Sequence, residues 1–86
     1  MKTLLWAKIL KDNKILNDVA LKVDNFKNTE LMEYVKEICY KLDLETPVLL
    51  SKHYRYIVQY NVIKFTKDDF IDYIDFDSLL IEKCEE

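Results

Sequence analysis

The stretch TLLWAKILKDNKILNDVALKV, residues 3–23, decides the fold prediction, because two apolar runs flank a short polar turn. Asp and Asn are the residues other than glycine that best tolerate the left-handed backbone of a tight hairpin turn. A two-residue loop at Asp12 and Asn13 therefore predicts a β-hairpin. The pairs expected across it are Leu10 with Ile15, Lys8 with Asn17, Trp6 with Val19 and Leu4 with Leu21.

The two faces of this hairpin are both fairly apolar. The face with the bulkier side chains, among them Leu4, Trp6 and Leu10, is expected to meet the core. The opposite face holds Leu5, Ala7, Ile9, Leu16 and Ala20 beside Asp18 and Lys22. Since that face also carries apolar groups, a homodimer through the apolar hairpin face is one expected form of association.

A long helix is expected after the hairpin. Its apolar stripe at helical spacing consists of Leu31, Val35, Ile38 and Leu42. Asn28 or Thr29 is the expected cap. Pro47 disfavours helical backbone in the residue before it, so the helix is expected to stop within residues 43–47.

A second, shorter helix is expected from Ser51 to about Tyr60. Tyr54, Ile57 and Val58 are the side chains that its spacing directs toward the core.

The remaining residues predict two further strands. Residues 62–65 form a short strand with Ile63 and Phe65 on one side. Thr66 then caps a single helical turn that extends to about Asp72. Residues 74–83 predict the last strand, in which Leu79 and Ile81 interrupt the alternation; a bulge or an internal strand would explain the interruption.

This order of elements predicts an α+β fold: a small antiparallel sheet, made of the N-terminal hairpin and the C-terminal strands, packed by one main helix and one shorter helix. Residues 1–86 are enough for one modest core, so a single domain is expected. The strand order within the sheet is not predicted.

Composition excludes several kinds of ligand site. The 86 residues include no glycine, whereas average usage of roughly 7% would give about six. Phosphate-binding loops, dinucleotide fingerprints and EF-hand loops need glycine for positive φ or for close backbone approach. One histidine, His53, and two cysteines, Cys39 and Cys84, also fall short of the usual set of zinc ligands. We therefore expect no catalysis, no cofactor and no metal ion.

The same composition predicts a cytoplasmic protein. No apolar run reaches the roughly 18 residues that a membrane span requires. Lys8 interrupts the only stretch that is similar to a signal peptide. Cys39 and Cys84 are accordingly expected to be free thiols in a reducing compartment.

Charge is distributed unevenly along the chain. Residues 1–30 carry a formal +2 and residues 31–65 a formal +1, whereas two lysines and eight acids give residues 66–86 a formal −6. Five carboxylates concentrate this charge: Asp68, Asp69, Asp72, Asp75 and Asp77. A patch of one sign selects and orients charged partners, so these residues are the candidate surface for a basic protein partner.

Other interpretations of the acidic residues stay open. They are a solvated edge with helix-capping aspartates, a calcium or magnesium site without a glycine turn, and metal-dependent phosphotransfer or nuclease chemistry. A nucleic-acid-associated accessory module is a further alternative. It would use Lys52, Arg55 and the tyrosines of the second helix, because aromatic and basic groups together bind single strands. The net charge of −3 makes nucleic acid unlikely as the partner.

Short stretches throughout the chain carry a resemblance: residues 11–14, 37–39 with 42–44, 46–47, 65–66 with 68–71, and 74–77. In these stretches the chain resembles a group of short, uncharacterised bacterial proteins of similar length. The resemblance implies a free-standing small domain and no particular activity. The function expected from the sequence is therefore that of a small non-catalytic protein-interaction domain.

Overall fold

The structure, a computed structural model, describes residues 2–85. In chain order its elements are β1 (Lys2–Lys11), β2 (Lys14–Asp24), a 3₁₀ turn (Asn28–Glu30), α1 (Leu31–Lys41), α2 (Ser51–Tyr60), β3 (Val62–Thr66), a second 3₁₀ turn (Lys67–Asp69) and β4 (Ser78–Glu85). The predicted α+β fold is confirmed: four antiparallel strands form one sheet, and two helices accompany it.

The strands lie in the order β2-β1-β4-β3, so the chain's last strand occupies an internal position. Within β4, Ile81 pairs with Ala7 of β1 on one side and with Ile63 of β3 on the other. Leu79 and Ile81 both face the core, so alternation within β4 is regular there; the pattern is interrupted because Ile74 and Phe76 precede the strand. β4 begins only at Ser78 rather than at the predicted Ile74, because the residues before it form irregular bends.

The hairpin turn is where the sequence predicts it. Asp12 and Asn13 have φ of 52° and 63°, and Lys11 pairs with Lys14. The register predicted beyond the turn is wrong by one residue, because a bulge interrupts the ladder between Ile9 and Leu10. Past it the observed pairs are Ile9 with Asn17, Lys8 with Asp18, Trp6 with Ala20 and Leu4 with Lys22.

The bulge also reverses the predicted face of β1. Leu5, Ala7 and Ile9 are buried, whereas Leu4, Trp6 and Leu10 are only half-buried on the opposite side. One extra residue in β2, Leu16, shifts the period-two alternation, so the odd-numbered residues of both strands share the core face. On β2 the core residues are Leu21 and Val23, with Val19 packed beside them.

The first helix presents the predicted stripe to the core: Leu31, Val35, Ile38 and Leu42 are all buried, together with Cys39. The predicted capping side chains are wrong, because Asn28 and Thr29 lie within the 3₁₀ turn and neither Lys27 nor Glu30 makes a side-chain cap. Instead the Tyr34 hydroxyl accepts a hydrogen bond from the Lys27 N–H at 3.2 Å.

The first helix ends at Lys41, shortly before the segment 43–47 in which the sequence predicts its end. Asp43 adopts left-handed backbone with φ of 58°, and the Leu44 N–H donates to the Cys39 carbonyl at 2.8 Å. These are the features of a Schellman termination, in which a left-handed residue lets the chain reverse over the last turn.

The second helix has the predicted bounds and a different buried face. Ile57 is buried and Tyr54 half-buried, as expected, but Val58 is 59% exposed. His53 is buried in its place, because its ring is held by the backbone that precedes the helix: Nδ1 accepts a hydrogen bond from the Leu50 N–H at 2.9 Å.

A single core lies between the helices and one face of the sheet. The buried side chains of both helices join those of all four strands in one cluster. On the other face of the sheet, half-buried side chains alternate with the core residues, among them Trp6, Lys8, Leu80 and Glu82. Lys8 Nζ contacts Glu82 Oε1 there at 2.8 Å and lies 3.8 Å from the centroid of the Trp6 ring.

Candidate functional site

The acidic segment, residues 66–77, connects β3 to β4. Its first turn is closed by Asp69, whose Oδ2 accepts a hydrogen bond from the Thr66 N–H at 2.9 Å. Phe70 and Phe76 are buried, and their rings meet edge to face with centroids 5.7 Å apart. The acidic segment is therefore a loop anchored near both ends by aromatic packing, with residues 71–75 displayed between the anchors.

The five aspartates predicted as a partner surface lie in different environments. Asp68, Asp72, Asp75 and Asp77 are exposed. Asp69 is only 6% exposed, because it caps the 3₁₀ turn and faces the interior. Asp69 is therefore placed where it cannot contact a partner directly.

Two of the exposed carboxylates fasten the acidic segment to the hairpin. Asp75 Oδ1 lies 3.1 Å from Lys11 Nζ, and this contact raises the pKa of the Lys11 ammonium above its usual value. Asp77 Oδ2 accepts a hydrogen bond from the Asp12 N–H at 2.9 Å, while the Asp77 N–H donates to the Leu10 carbonyl at 2.8 Å. These contacts join the segment to the chain's N-terminal turn.

Asp72 meets a carboxylate from another loop. The neighbouring Asp72 raises the pKa of the Glu45 carboxyl above its ordinary value, by interaction between the two side chains and by its charge. Two neighbouring carboxylates repel each other once both are ionised. A cation placed between them would relieve that repulsion.

These two loops border a cavity of about 360 Å³ that is open to solvent on one side and is called the acidic cavity. Its lining combines four carboxylates with aromatic and aliphatic groups: Asp43, Leu44, Glu45, Phe70, Asp72, Tyr73, Ile74, Asp75 and Phe76. No lysine or arginine is part of the lining. An apolar interior with an acidic rim suits the side chain of lysine or arginine, whose stem is apolar and whose end is cationic.

A wider groove of about 720 Å³ adjoins the acidic cavity and shares Leu44 and Glu45 with it. Along α1 the groove is lined by Glu33, Tyr34, Lys36, Glu37 and Tyr40, and Thr46 lines it from the loop that follows the helix. It has more acids than bases, and the Tyr40 side chain is 85% exposed beside it. Cavity and groove together form a continuous, mostly acidic path across the surface.

No sequence pattern identifies Asp43, Glu45 or Tyr73 as site residues. The pattern in residues 43–47 indicates only the end of a helix. Tyr73, which is 88% exposed, lies in no motif. Two irregular loops that are far apart in sequence can lie close together without any repeating pattern in the sequence. Only the tertiary structure therefore shows that these residues are neighbours.

The single histidine forms a buried contact beneath the acidic segment. His53 Nε2 lies 3.6 Å from Asp69 Oδ2, and the centroid of the ring lies 4.6 Å from that of Phe65, with the two rings tilted by 42°. Because Nδ1 accepts the Leu50 N–H, the proton of the neutral ring is on Nε2, a buried atom that makes no hydrogen bond within the described residues. Burial lowers the pKa of His53; Asp69 opposes this effect, and Lys52 adds to it.

The outer face of α2 groups the residues of the nucleic-acid alternative. Lys52 and Arg55 are exposed, and so are Tyr56 and Tyr60, at 41% and 65%. The two tyrosine rings lie 6.0 Å apart. Basic and aromatic groups thus share one helical surface.

The two cysteines lie in different environments. Burial raises the pKa of the Cys39 thiol to about 11, so it stays protonated at neutral pH. Cys84 is an exposed free thiol in β4. Over residues 2–85, no three His, Cys, Asp or Glu side chains are grouped closely enough to hold a metal ion.

No protein-family model, curated protein or solved structure matches this chain. The resemblance to short bacterial proteins therefore stays a prediction. Within the part of the chain that the structure describes, no helix combines the length and apolar character needed to cross a membrane.

Proposed function

We propose that this protein is a small, non-catalytic interaction domain that binds a basic segment of a partner protein at the acidic cavity. The observation that carries the proposal is the lining of that cavity: four carboxylates, an apolar interior and no basic residue. A lysine or arginine side chain complements both the apolar interior and the carboxylates, since its aliphatic stem packs on apolar groups while its charge meets the carboxylates.

In this binding the apolar and aromatic residues of the cavity contact the stem of the basic side chain, and the carboxylates contact its charge. Phe70, Phe76 and Ile74 contact the stem, and Tyr73 offers an aromatic face to the cation. Glu45 and Asp72 receive the charge, and a bound cation favours the ionised form of Glu45. Binding should therefore release protons at a pH where Glu45 is partly protonated.

The adjoining groove sets the direction of the partner segment. An extended chain with one basic side chain in the acidic cavity continues past Glu45 and along α1, where Glu37 and Tyr40 line its path. Basic residues at successive positions would then meet acids over both parts of the surface.

A non-catalytic role in the cytoplasm is consistent with the environments of the histidine and of the exposed cysteine. The only histidine is buried with its Nδ1 occupied, so it is not available at the surface for proton transfer. The Cys84 thiol is exposed and free, which suits a reducing compartment.

The test compares the parent with the double variant Glu45→Gln, Asp72→Asn. The probe is an unstructured peptide of alternating lysine and alanine, and the measurement is a calorimetric titration at several salt concentrations. Two charge contacts are lost together, so we expect affinity to fall by about fivefold. Added salt should weaken binding to the parent more than to the variant.

The matched control is Asp24→Asn, Glu30→Gln, which removes the same charge from exposed positions outside cavity and groove. It should bind nearly as the parent does. Equal loss in both double variants would mean that only net charge matters and would refute a specific site. Absence of any binding by the parent to the lysine peptide would also refute it.

The second candidate function rests on the outer face of α2. Exposed tyrosines at 6.0 Å beside Lys52 and Arg55 are suited to stacking with unpaired bases. Retention of the parent on immobilised single-stranded DNA, lost in the variant Tyr56→Ala, Tyr60→Ala and kept in Glu45→Gln, Asp72→Asn, would favour this function over the first.

A further inference from the structure

The strand β2 forms a long open edge of the sheet. It spans residues 14–24 and, within residues 2–85, pairs with β1 alone. The opposite edge, β3, has only five residues. An edge strand presents unpaired N–H and C=O groups that another strand can join.

Successive residues of a strand direct their backbone N–H and C=O groups to opposite sides. This alternation identifies the backbone groups of β2 that face the open edge. The Leu10 carbonyl accepts the Asp77 N–H, so it is directed away from β2, as are the backbone groups of every second residue of β1. Val19 and Leu21, opposite Ala7 and Leu5, consequently bond to β1.

The residues between them, Asp18, Ala20 and Lys22, direct their backbone groups to the open side. In agreement with this, the Asp18 N–H donates to the side chain of Asn17, at 2.9 Å, rather than to β1. Association at this edge replaces that local bond with a bond between strands.

The side chains along the open edge are self-complementary. When two copies of β2 pair antiparallel about Ala20, Asp18 of each copy lies opposite Lys22 of the other. Ala20 then lies opposite itself and leaves room for close backbone approach. Trp6 Nε1 occupies only Oδ2 of Asp18, at 2.9 Å, so Oδ1 is left for the lysine of the second copy.

Other registers are less favourable. Pairing centred on Leu21 would place Asp18 opposite Asp24, and like charges directly opposite are destabilising. Pairing centred on Val19 would place Lys14 opposite Asp24, but Lys14 lies beyond the bulge at Leu16, where the edge is no longer regular. The register about Ala20 uses the regular stretch 17–23 and joins only opposite charges.

We propose that the protein forms a two-fold symmetric homodimer in which the β2 edges pair antiparallel about Ala20. The contact joins two four-stranded sheets into one continuous sheet and adds about six backbone hydrogen bonds. The interface is an edge of the sheet rather than an apolar face of the hairpin. It does not depend on the function proposed for the acidic cavity, which lies on other elements.

The test is sedimentation equilibrium of the parent and of charge variants, over concentrations that resolve dissociation constants from about 1 μM to about 1 mM. Lys22→Asp and Asp18→Lys each place like charges opposite each other twice, so each should weaken the dimer at least about tenfold. The double variant Asp18→Lys, Lys22→Asp restores opposite charges and should restore the dimer.

The control Lys14→Asp changes a charge that has no opposite partner in this register, and the dimer should persist. A monomeric parent over the whole range would overturn the proposal. A dimer that is weakened by Lys14→Asp and unaffected by Lys22→Asp would overturn it as well.

A second measurement needs no variant. In the parent, amide exchange at Ala20 and Lys22 should slow as protein concentration rises, because these N–H groups become bonded to the second copy. Exchange at Ala20 and Lys22 that does not depend on concentration would contradict edge pairing.

Discussion

At the scale of single residues, asparagine and aspartate replace glycine throughout this chain. The structure has five residues with φ between 52° and 63°, and all are of these two types: Asp12, Asn13, Asn25, Asp43 and Asn61. Short polar side chains tolerate left-handed backbone better than other residues with a Cβ, although glycine tolerates it best. The chain thus makes its tight turns without glycine and at some energetic cost.

The hairpin turn offers a direct measure of that cost. Replacing Asn13, with φ of 63°, by glycine should leave the free energy of unfolding unchanged or raise it by a few tenths of a kcal/mol, because glycine adopts positive φ without steric strain. Asn13→Ala should lower it by about 1 kcal/mol. Urea unfolding measures both. An alanine variant as stable as the glycine variant would contradict the assigned backbone.

At the scale of elements, the periodicity of α1 is a more reliable guide than the strand register of the hairpin. The stripe of α1 is buried as predicted, since every residue of a regular helix has a position fixed by its neighbours. The β-hairpin differs in this respect. One inserted residue, Leu16, shifts the alternation and so moves the residues beyond it to the opposite face of the sheet. The turn signal and the apolar runs predict a hairpin and do not reveal the bulge.

Ile38 lies at the centre of the buried stripe and is fully inaccessible. Ile38→Ala should lower the free energy of unfolding by about 2–5 kcal/mol, because it removes apolar contacts and leaves a cavity. The control is Tyr40→Ala on the same helix, whose ring is 85% exposed, and there the change should stay within about 0.5 kcal/mol. Similar losses in the two variants, measured by urea unfolding, would contradict the assigned helix face.

At the scale of the whole molecule, His53 connects parts that are distant along the chain. Its ring joins the start of α2 to Phe65 of β3 and to Asp69 of the acidic segment. The Val48 N–H adds a bond to the Asp69 carbonyl at 2.8 Å. The loop before α2 and the turn after β3 are therefore held together by the buried His53 and by this backbone bond.

Stability should consequently decrease on mild acidification. Burial lowers the pKa of His53 in the folded state below its ordinary value of 6.5, so the unfolded state binds the extra proton more readily. Protonation would also turn Nδ1 from an acceptor into a donor opposite the Leu50 N–H. We expect the free energy of unfolding, from urea titrations, to fall as pH decreases from about 7.5 to about 5.5.

The control variant is His53→Gln, which retains an acceptor for the Leu50 N–H and has no titrating ring. It should be less stable than the parent at neutral pH and should lose most of the dependence on pH in this range. A parent whose stability increases on acidification over the same range would show that the sign assigned to His53 is wrong.

The candidate site was predictable in part. The negative charge of residues 66–77 is evident in the sequence, and Asp72 and Asp75 do line the acidic cavity. Asp69 was indistinguishable from them, although it serves as a buried cap. Its burial depends on the position of His53, which lies in a different element and outside any local pattern.

The sequence by itself determined the kinds and order of the elements, the left-handed turn at residues 12–13 and the buried stripe of α1, since these follow from spacings of a few residues. Only the tertiary structure decided which face of β1 is buried, that β4 lies between β1 and β3, and that Glu45 meets Asp72. Those features depend on a single inserted residue or on contacts between segments far apart in sequence. The free energy that stabilises them comes from packing and electrostatic interactions across the molecule. The propensities of short segments do not predict it.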